Sequence, residues 1–300
     1  MRKEYSLRIK GRDYTLGRRT WLMGILNVTP DSFSDGGIYL DKKSAVQKGL
    51  QLIKDGADIL DIGGESTRPG SHPVTAEEEK RRILPVISEI RKKTDALISV
   101  DTTKSEVLKS ALDAGADILN DISAMRFDPK ILGLASKQDI PVIIMHMKGT
   151  PRNMQESPEY DNVIQEIKTF LKQRITDALT AGIKKNKIII DPGIGFGKRL
   201  KDNLKIISNL SAFSELGFPI LIGVSRKSFI GDLLNLSPEK RIEGTIASSL
   251  ISILQGAHIL RVHDVSSLKK AVIVAEAIMK EGVSNQFSEE RGKDRVLHAG

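Results

Sequence analysis

Short aliphatic runs alternate with longer amphipathic ones along most of the chain. The runs are Trp21–Val28, Ile59–Ile62, Leu97–Val100, Ile118–Leu119, Pro141–Met145, Ile188–Ile190, Pro219–Val224 and His258–Val262. They lack strict inward–outward alternation, as parallel strands covered on both faces do. A helical stretch follows each run. Lys42–Lys54 starts behind Asp41 as N-cap, and Thr75-Ala-Glu-Glu78 is a capping box opening a helix that Pro85 should kink. Lys104–Ala114, Pro129–Lys137 and Pro158–Ala181 come next, the last with Ser157 as cap and proline in its first turn. Leu200–Leu210, Pro238–Gln255 and Ser266–Glu281 complete the set. Within Pro238–Gln255, the four-residue recurrence of Ile242, Ile246, Leu250 and Leu254 predicts the buried face.

Eight β-then-α units over about 260 residues predict an α/β fold of the (β/α)8 TIM-barrel type. A doubly wound sheet usually has fewer strands and a G-x-G-x-x-G fingerprint, which is absent. Residues 3–18 alternate and turn at Gly11-Arg12, predicting an N-terminal β-hairpin. The expected organisation is a hairpin (1–20) closing the barrel bottom, the barrel itself (21–282), and a charged, flexible tail (283–300).

Aromatic residues make up only 4% of the chain, so aliphatic side chains must fill the core. The formal net charge of +8 suits an anionic ligand. The basic residues are dispersed and mixed with acids, as in Glu78-Glu-Glu-Lys-Arg-Arg82, which reads as solvated helix faces rather than a nucleic-acid surface. Without cysteine there are no disulfides, thiol nucleophiles or cysteine-bound metals. Met1–Arg19 is charged with no apolar signal core, and no run approaches bilayer length. A cytoplasmic protein with no membrane partner is expected.

The candidate chemistry lies at the ends of the strands. They terminate in Asn27, Asp61, Asp101, Asn120-Asp121, His146, Asp191, Ser225-Arg-Lys-Ser228 and Arg261-Val-His263. Each Asp alone reads first as a helix cap or Asx-turn. Eight polar ends on the rim where barrels keep their active sites read differently. Asp101, Asn120 and Asp191 accept hydrogen bonds and suit a flat ligand edge rich in N–H donors, such as an aminopyrimidine. Arg68, Lys227, Arg261 and His263 are donors and cations that suit an anion, phosphate above all. Lys227 could instead form a Schiff base, although flanking Arg226 and Ser228 do not resemble an isolated apolar lysine pocket. Arg261 and His263, two apart, share one side of a strand. No nucleophile elbow or H-E-x-x-H motif is present. An anion cradle beside an acceptor pocket points to displacement of a phosphate-type leaving group. Mg²⁺ could bind there through an asparagine oxygen and the substrate's phosphates.

Met23-Gly-Ile-Leu-Asn-Val-Thr-Pro-Asp-Ser-Phe-Ser-Asp-Gly-Gly37 and Asp61-Ile-Gly-Gly-Glu-Ser-Thr-Arg-Pro-Gly70 resemble the two signatures of the dihydropteroate synthase family. The likeness continues through Ser99-Val-Asp-Thr102, Leu119-Asn-Asp-Ile122, Asp191-Pro-Gly-Ile-Gly-Phe-Gly-Lys198, Ser225-Arg-Lys-Ser-Phe-Ile-Gly231 and Arg261-Val-His-Asp264, over residues 20–282. It implies the barrel fold and condensation of p-aminobenzoate with 6-hydroxymethyl-7,8-dihydropterin diphosphate, giving 7,8-dihydropteroate and pyrophosphate. By the same resemblance Asp101, Asn120 and Asp191 would hold the pyrimidine edge, and Lys227 would donate to the pterin carbonyl and ring nitrogen. Asn27 would bind Mg²⁺ with the diphosphate. Arg261, His263 and Thr67 would hold the diphosphate, Arg68 would lie near the reacting end, and Ser228 near the p-aminobenzoate carboxylate. The segment 29–37, with Asp31 and Phe33, would close over the site together with 66–71 once pyrophosphate is present. Such families are homodimeric sulfonamide targets. The alternatives are a methyltetrahydrofolate-type pterin methyltransferase, which needs no diphosphate cradle, and a non-catalytic pterin-binding paralogue.

Overall fold

The computed structural model describes residues 2–29, 37–67 and 70–296, those at 37–41 and 282–296 by their backbone alone. It opens with an antiparallel hairpin, β1 (Tyr5–Ile9) and β2 (Arg12–Leu16). Lys10 and Gly11 turn it with φ of 46° and 78°, the positive values a two-residue hairpin loop requires.

Eight parallel strands follow: β3 (Trp21–Asn27), β4 (Ile59–Gly63), β5 (Leu97–Asp101), β6 (Ile118–Asp121), β7 (Val142–Met145), β8 (Ile188–Asp191), β9 (Leu221–Ile222) and β10 (Ile259–Val262). They hydrogen-bond in the order β8-β7-β6-β5-β4-β3-β10-β9, and a bridge between Ile190 and Ile220 closes the ring. The expected (β/α)8 barrel is thus the observed fold. The helices are α1 (Gly37–Lys54), α2 (Ala76–Arg91), α3 (Ser105–Asp113), α4 (Lys130–Lys137), α5 (Val163–Thr180), α6 (Leu200–Ser208), α7 (Ser228–Leu234), α8 (Ile242–Leu254) and α9 (Val265–Val296). Among the described residues no helix is long and apolar enough to cross a membrane.

The strands are two-faced, and the faces differ in chemistry along the strand. One set of positions, including Leu60, Ile62, Ile98, Val100, Ile144 and Ile190, packs outward into a core shared with the helices. The other set faces inward. Near the strand starts it is aliphatic: Met23, Ile59, Leu97, Ile118, Ile143, Ile189, Leu221 and Ile259 form one cluster. Leu7, Ile9 and Leu16 of the hairpin belong to this cluster, so the hairpin plugs the lower end of the barrel. Two residues further along the same strands, the inward positions become Asp61, Ser99, Asn120, Asp191 and Arg261.

Several local expectations are corrected. Asp41 is not an N-cap, because α1 begins at Gly37. Ser157 does not cap α5: it has φ 54°, and the helix starts six residues later behind Asn162, whose side chain accepts from the Gln165 N–H at 3.2 Å. Thr75 does cap α2, accepting from Glu78, and Pro85 sits inside that helix without ending it. The short helix α7 was not anticipated. The backbone of α9 runs to Val296.

The largest correction concerns α8. Thr245, Ser248, Ser249, Ser252 and Ile253 are its buried residues, while Leu254 is 67% exposed. The hydroxyls make this possible. Ser248 donates to the Gly244 carbonyl and Ser252 to the Ser248 carbonyl, both at 2.7 Å. A small side chain that satisfies itself on the preceding turn can be buried cheaply, and its size lets the helix approach closely. Of the predicted stripe, Ile246 and Leu250 are half-buried and pack at the edge of the core, while Leu254 is left on the outer side.

Candidate active site

Five inward or rim-facing side chains make the floor of the barrel mouth. Asp61 on β4 is completely buried and lies below the others. Arg261 on β10 donates through Nε to Asp61 Oδ2 at 2.6 Å and through Nη2 to Asp101 Oδ2 at 2.8 Å. Asn120 on β6 donates through Nδ2 to the same Asp61 oxygen at 3.1 Å. Its amide oxygen therefore points away from Asp61. Asp191 at the end of β8 accepts the Gly193 N–H at 2.7 Å. Gly193 has φ 71°, and a Cβ there would lie 2.0 Å from the His146 carbonyl oxygen, so only glycine lets this loop fold against β7.

The neighbouring Asp121 and His146 are turned the other way. Asp121 accepts from the backbone of Ser123 and Met125, which closes the turn after β6. His146 sits behind the rim, edge-on to Phe170, with its Nδ1 2.9 Å from Lys198 Nζ. Burial and the adjacent Lys198 hold its pKa down at about 2, so it is a neutral acceptor. Lys198 also donates to the Phe196 carbonyl at 3.0 Å, tying down the glycine-rich loop after β8. Arg226, with φ 57°, pairs bidentately with Asp264 and joins the loops after β9 and β10.

Lys227 caps α7 and brings its Nζ over the ring of Phe196, 4.2 Å from the centroid. Phe196, Ile122, Met145, Met147 and Met154 form a small apolar cluster at this end of the barrel, separate from the two cores. It supplies the flat, dry wall that a planar ring needs. In the sequence Phe196, Met145 and Asp61 appear within a motif or at a strand end, but nothing there gives them a role. An apolar residue near a strand end looks like core, and a deep strand-end Asp looks like a cap. Only the i, i+2 alternation with the rim residues could have marked them.

Burial tunes the site's charges. Asp101 is raised to about 7 by burial and by Asp61, Glu79 and Asp121, against the lowering effect of Arg261. Asp191 is raised to about 6 by burial, opposed by the Gly193 N–H, Lys227 and Lys198. Burial and Arg261 lower Lys227 to about 8. His263 is lowered to about 3 by burial and by Arg261, which corrects its reading as a cation. Its backbone N–H donates to Ser225 Oγ at 3.2 Å, and the Ser225 hydroxyl lies 3.0 Å from His263 Nδ1. With the Ser225 hydroxyl donating to Nδ1, Nε2–H would be free as a neutral donor.

The structure therefore brings together Asp101, Asn120, Asp191, Lys227, Arg261 and His263 around one mouth. Asn27 ends β3 on the same rim, in register with Gly63. Thr67 lies on the loop after β4, which is held by a hydrogen bond from Ser71 to the Ser66 carbonyl and one from Gly70 N–H to the Pro151 carbonyl. Ser228 opens α7 and is exposed. Asp31, Phe33 and Arg68 lie outside the described residues. Asp101 and Arg261, which the sequence assigns to different ligands, are hydrogen-bonded to each other.

Residues 23–263 match the model of a family described as pterin binding enzyme. A dihydropteroate synthase from Escherichia coli (strain K12) is 46% identical over 266 residues, 89% of this chain and 94% of that protein. A solved dihydropteroate synthase of Xanthomonas albilineans with 4-aminobenzoic acid is 45% identical, with a TM-score of 0.86 and coverage of 92% of this chain and 99% of that one. Another, in complex with 7,8-dihydropteroate, is 44% identical with a TM-score of 0.83, covering 91% and 98%.

Proposed function

The chain belongs to the pterin-binding enzyme family and, within it, to the dihydropteroate synthases, and from that premise we propose how the rim divides the work. The reaction is the condensation of 6-hydroxymethyl-7,8-dihydropterin diphosphate with p-aminobenzoate to 7,8-dihydropteroate and pyrophosphate, a transferase step of folate biosynthesis. The observation that carries the assignment of roles is the Asp101–Arg261 contact at 2.8 Å. There the acceptor set and the cationic set meet, as they must if the pterin lies on one side of the breaking bond and the diphosphate on the other.

On this reading Asp101, Asn120 Oδ1 and Asp191 accept from the N–H groups of the pyrimidine edge, and Lys227 donates to its carbonyl and ring nitrogen. Phe196 and Met145 wall the ring. Arg261, His263 Nε2–H and Thr67 take the diphosphate oxygens. The bond between the exocyclic methylene carbon and the diphosphate oxygen breaks, and its electron pair leaves with pyrophosphate. The positive charge that remains spreads over the dihydropterin, beside the carboxylates of Asp101 and Asp191, which stabilise it in a partly water-excluded site. The amine nitrogen of p-aminobenzoate then bonds the methylene carbon and releases a proton. That amine is neutral at pH 7, so the step needs no strong base.

Among the described residues no three His, Asp or Glu side chains form a metal cluster. An ion at this rim would rest on the Asn27 amide oxygen and on the diphosphate. That donor set fits Mg²⁺, which keeps several waters and needs few protein ligands. Bound there, Mg²⁺ would neutralise charge on the departing pyrophosphate. Purified protein should release pyrophosphate only with both substrates and Mg²⁺. Release without Mg²⁺ would sink the metal assignment, and no release at all would sink the catalytic one.

The proposal extends to a homodimer. The packed helices α8 and α9 both carry exposed apolar side chains, among them Ile251, Leu254, Ile273 and Ile278, and large apolar patches on a surface mark interaction sites. Sedimentation should give the mass of two chains, and Leu254→Glu with Ile278→Glu should give one. It also includes a cytoplasmic location, to be checked by fractionating cells that express a tagged chain.

A further inference from the structure

We propose that Asp61 is a positioning residue for this reaction, setting from below both the amide orientation of Asn120 and the guanidinium orientation of Arg261. The proposal rests on the assignment of roles above. Asp61 Oδ2 receives two donors, Arg261 Nε at 2.6 Å and Asn120 Nδ2 at 3.1 Å. Asp61 itself is wholly buried, so it acts on substrate only through these two.

Each contact settles an ambiguity that the other residue cannot settle alone. An asparagine amide offers a donor on one end and an acceptor on the other, in nearly the same shape. An ionised carboxylate only accepts. Asp61 therefore draws the Nδ2 end downward and turns Oδ1 into the pocket, the polarity needed by a ligand edge made of N–H donors. Arginine has a flexible stem and a planar fork. With Nε fixed on Asp61, the fork stands with Nη2 on Asp101 at 2.8 Å. A ligand can then exchange the Asp101 contact for its own oxygen without the arginine leaving the floor.

The fold alone does not fully satisfy Asp61. Its Oδ1 is buried with no hydrogen-bond partner, as is the hydroxyl of Ser99, the residue opposite it on β5. A buried carboxylate with one oxygen unsatisfied is destabilising. Replacing Asp61 alone would also strand the Arg261 charge, so the test must record stability beside kinetics.

The test uses Asp61→Asn and Asp61→Leu in the full chain, with thermal melting recorded beside the kinetics. The expected result is a fall in kcat/KM for the pterin diphosphate of about 10²-fold in Asp61→Leu and less in Asp61→Asn, with the KM for p-aminobenzoate within about twofold of wild type. The acidic limb of the pH profile should also move. Asp101 faces Arg261 from β10, Asp61 from β4, Glu79 from α2, Asp121 from β6 and Lys227 from the loop after β9. Removing the Asp61 charge removes one repulsion and leaves Arg261 to Asp101, so the limb should shift to lower pH by about half a unit or more. That shift reports the Asp61 charge beside Asp101, and the split between the two substrates' kinetics reports the positioning.

If either variant does not fold, the pair Asp61→Asn/Arg261→Met replaces it, compared with Arg261→Met alone. The buried charges are then removed together, which is tolerated far better than removing one. The second substitution should then cost less than Asp61→Asn costs in wild type, because the Arg261 contact is already gone and only the Asn120 contact remains to be lost. Additive losses, an unmoved acidic limb, or equal rises in KM for both substrates would overturn the proposal. Wild-type protein that releases no pyrophosphate would instead overturn the functional assignment and leave the floor geometry untouched.

Discussion

The two ends of the barrel are built from the same strands and obey the same alternation, yet they spend their inward positions differently. At the lower end Ile59, Leu97, Ile143, Ile189 and Ile259 meet the hairpin's Leu7, Ile9 and Leu16 in a dry aliphatic plug. At the mouth, two residues later, Asp61, Asn120, Asp191 and Arg261 occupy equivalent inward positions. The plug contributes apolar burial, on the order of 1.5–3 kcal/mol for each large side chain. The mouth contains raised carboxylates, a lowered lysine and a buried oxygen with no partner. A parallel barrel can hold such a mouth because its stability comes from the other end and from the helix layer.

Three experiments can break this division. The largest effect is expected from Ile189→Ala in the plug. It should destabilise the fold by about 3–4 kcal/mol through lost burial and a cavity, while kcat/KM at a permissive temperature stays near wild type. A matching loss of kcat/KM would show that the two ends are coupled. At the mouth, Lys227→Ala and Asp191→Asn should each lower kcat/KM by about 10²-fold, roughly 2.7 kcal/mol. Asp191→Asn should melt no lower than wild type at pH 7.5. A carboxylate raised to about 6 contributes stability only while protonated, and that contribution is lost as pH rises through 6. The amide keeps the acceptor for Gly193 and avoids the charge. Full turnover in both variants would remove them from the site.

The smallest effect is on pH dependence. Asp101 at about 7 and Asp191 at about 6 must be ionised, and Lys227 at about 8 must be protonated. A plot of kcat/KM against pH should therefore be a narrow bell, rising to about 7 and falling above about 8. In Asp101→Asn the acidic limb should retreat toward 6. A profile flat from pH 5 to 9 would separate these groups from catalysis.

Much of the fold was legible because each strand is a short aliphatic run ending in a polar residue, from Asn27 on β3 to Arg261 and His263 at the end of β10. The rim followed from that punctuation. Helix starts were less legible. Ser157-Pro158 carries the local signature of a cap, but the chain passes it in a left-handed turn and begins α5 behind Asn162. The face of α8 was only partly read: Ile246 and Leu250 do pack at the core's edge, but the centre of the buried face is made of hydroxyl side chains that bond their own preceding turn, look polar in a sequence and behave as small apolar ones in a packed layer. His263 looked like a cation because a sequence shows its type but not the burial and the Arg261 charge that hold it neutral.

Sequence alone determined the strand-and-helix alternation, the polar strand ends, the glycines that only a left-handed backbone needs, and the likeness to a known family. These are local properties, set by side-chain type and by neighbours a few residues away. Tertiary structure decided that Asp61 lies beneath Asn120 and Arg261, that Arg261 is held between two carboxylates, and that burial moves Asp101, Asp191 and Lys227 toward neutrality. Those outcomes depend on distance and desolvation between residues as far apart as 61 and 261. Such quantities exist only once the barrel has closed.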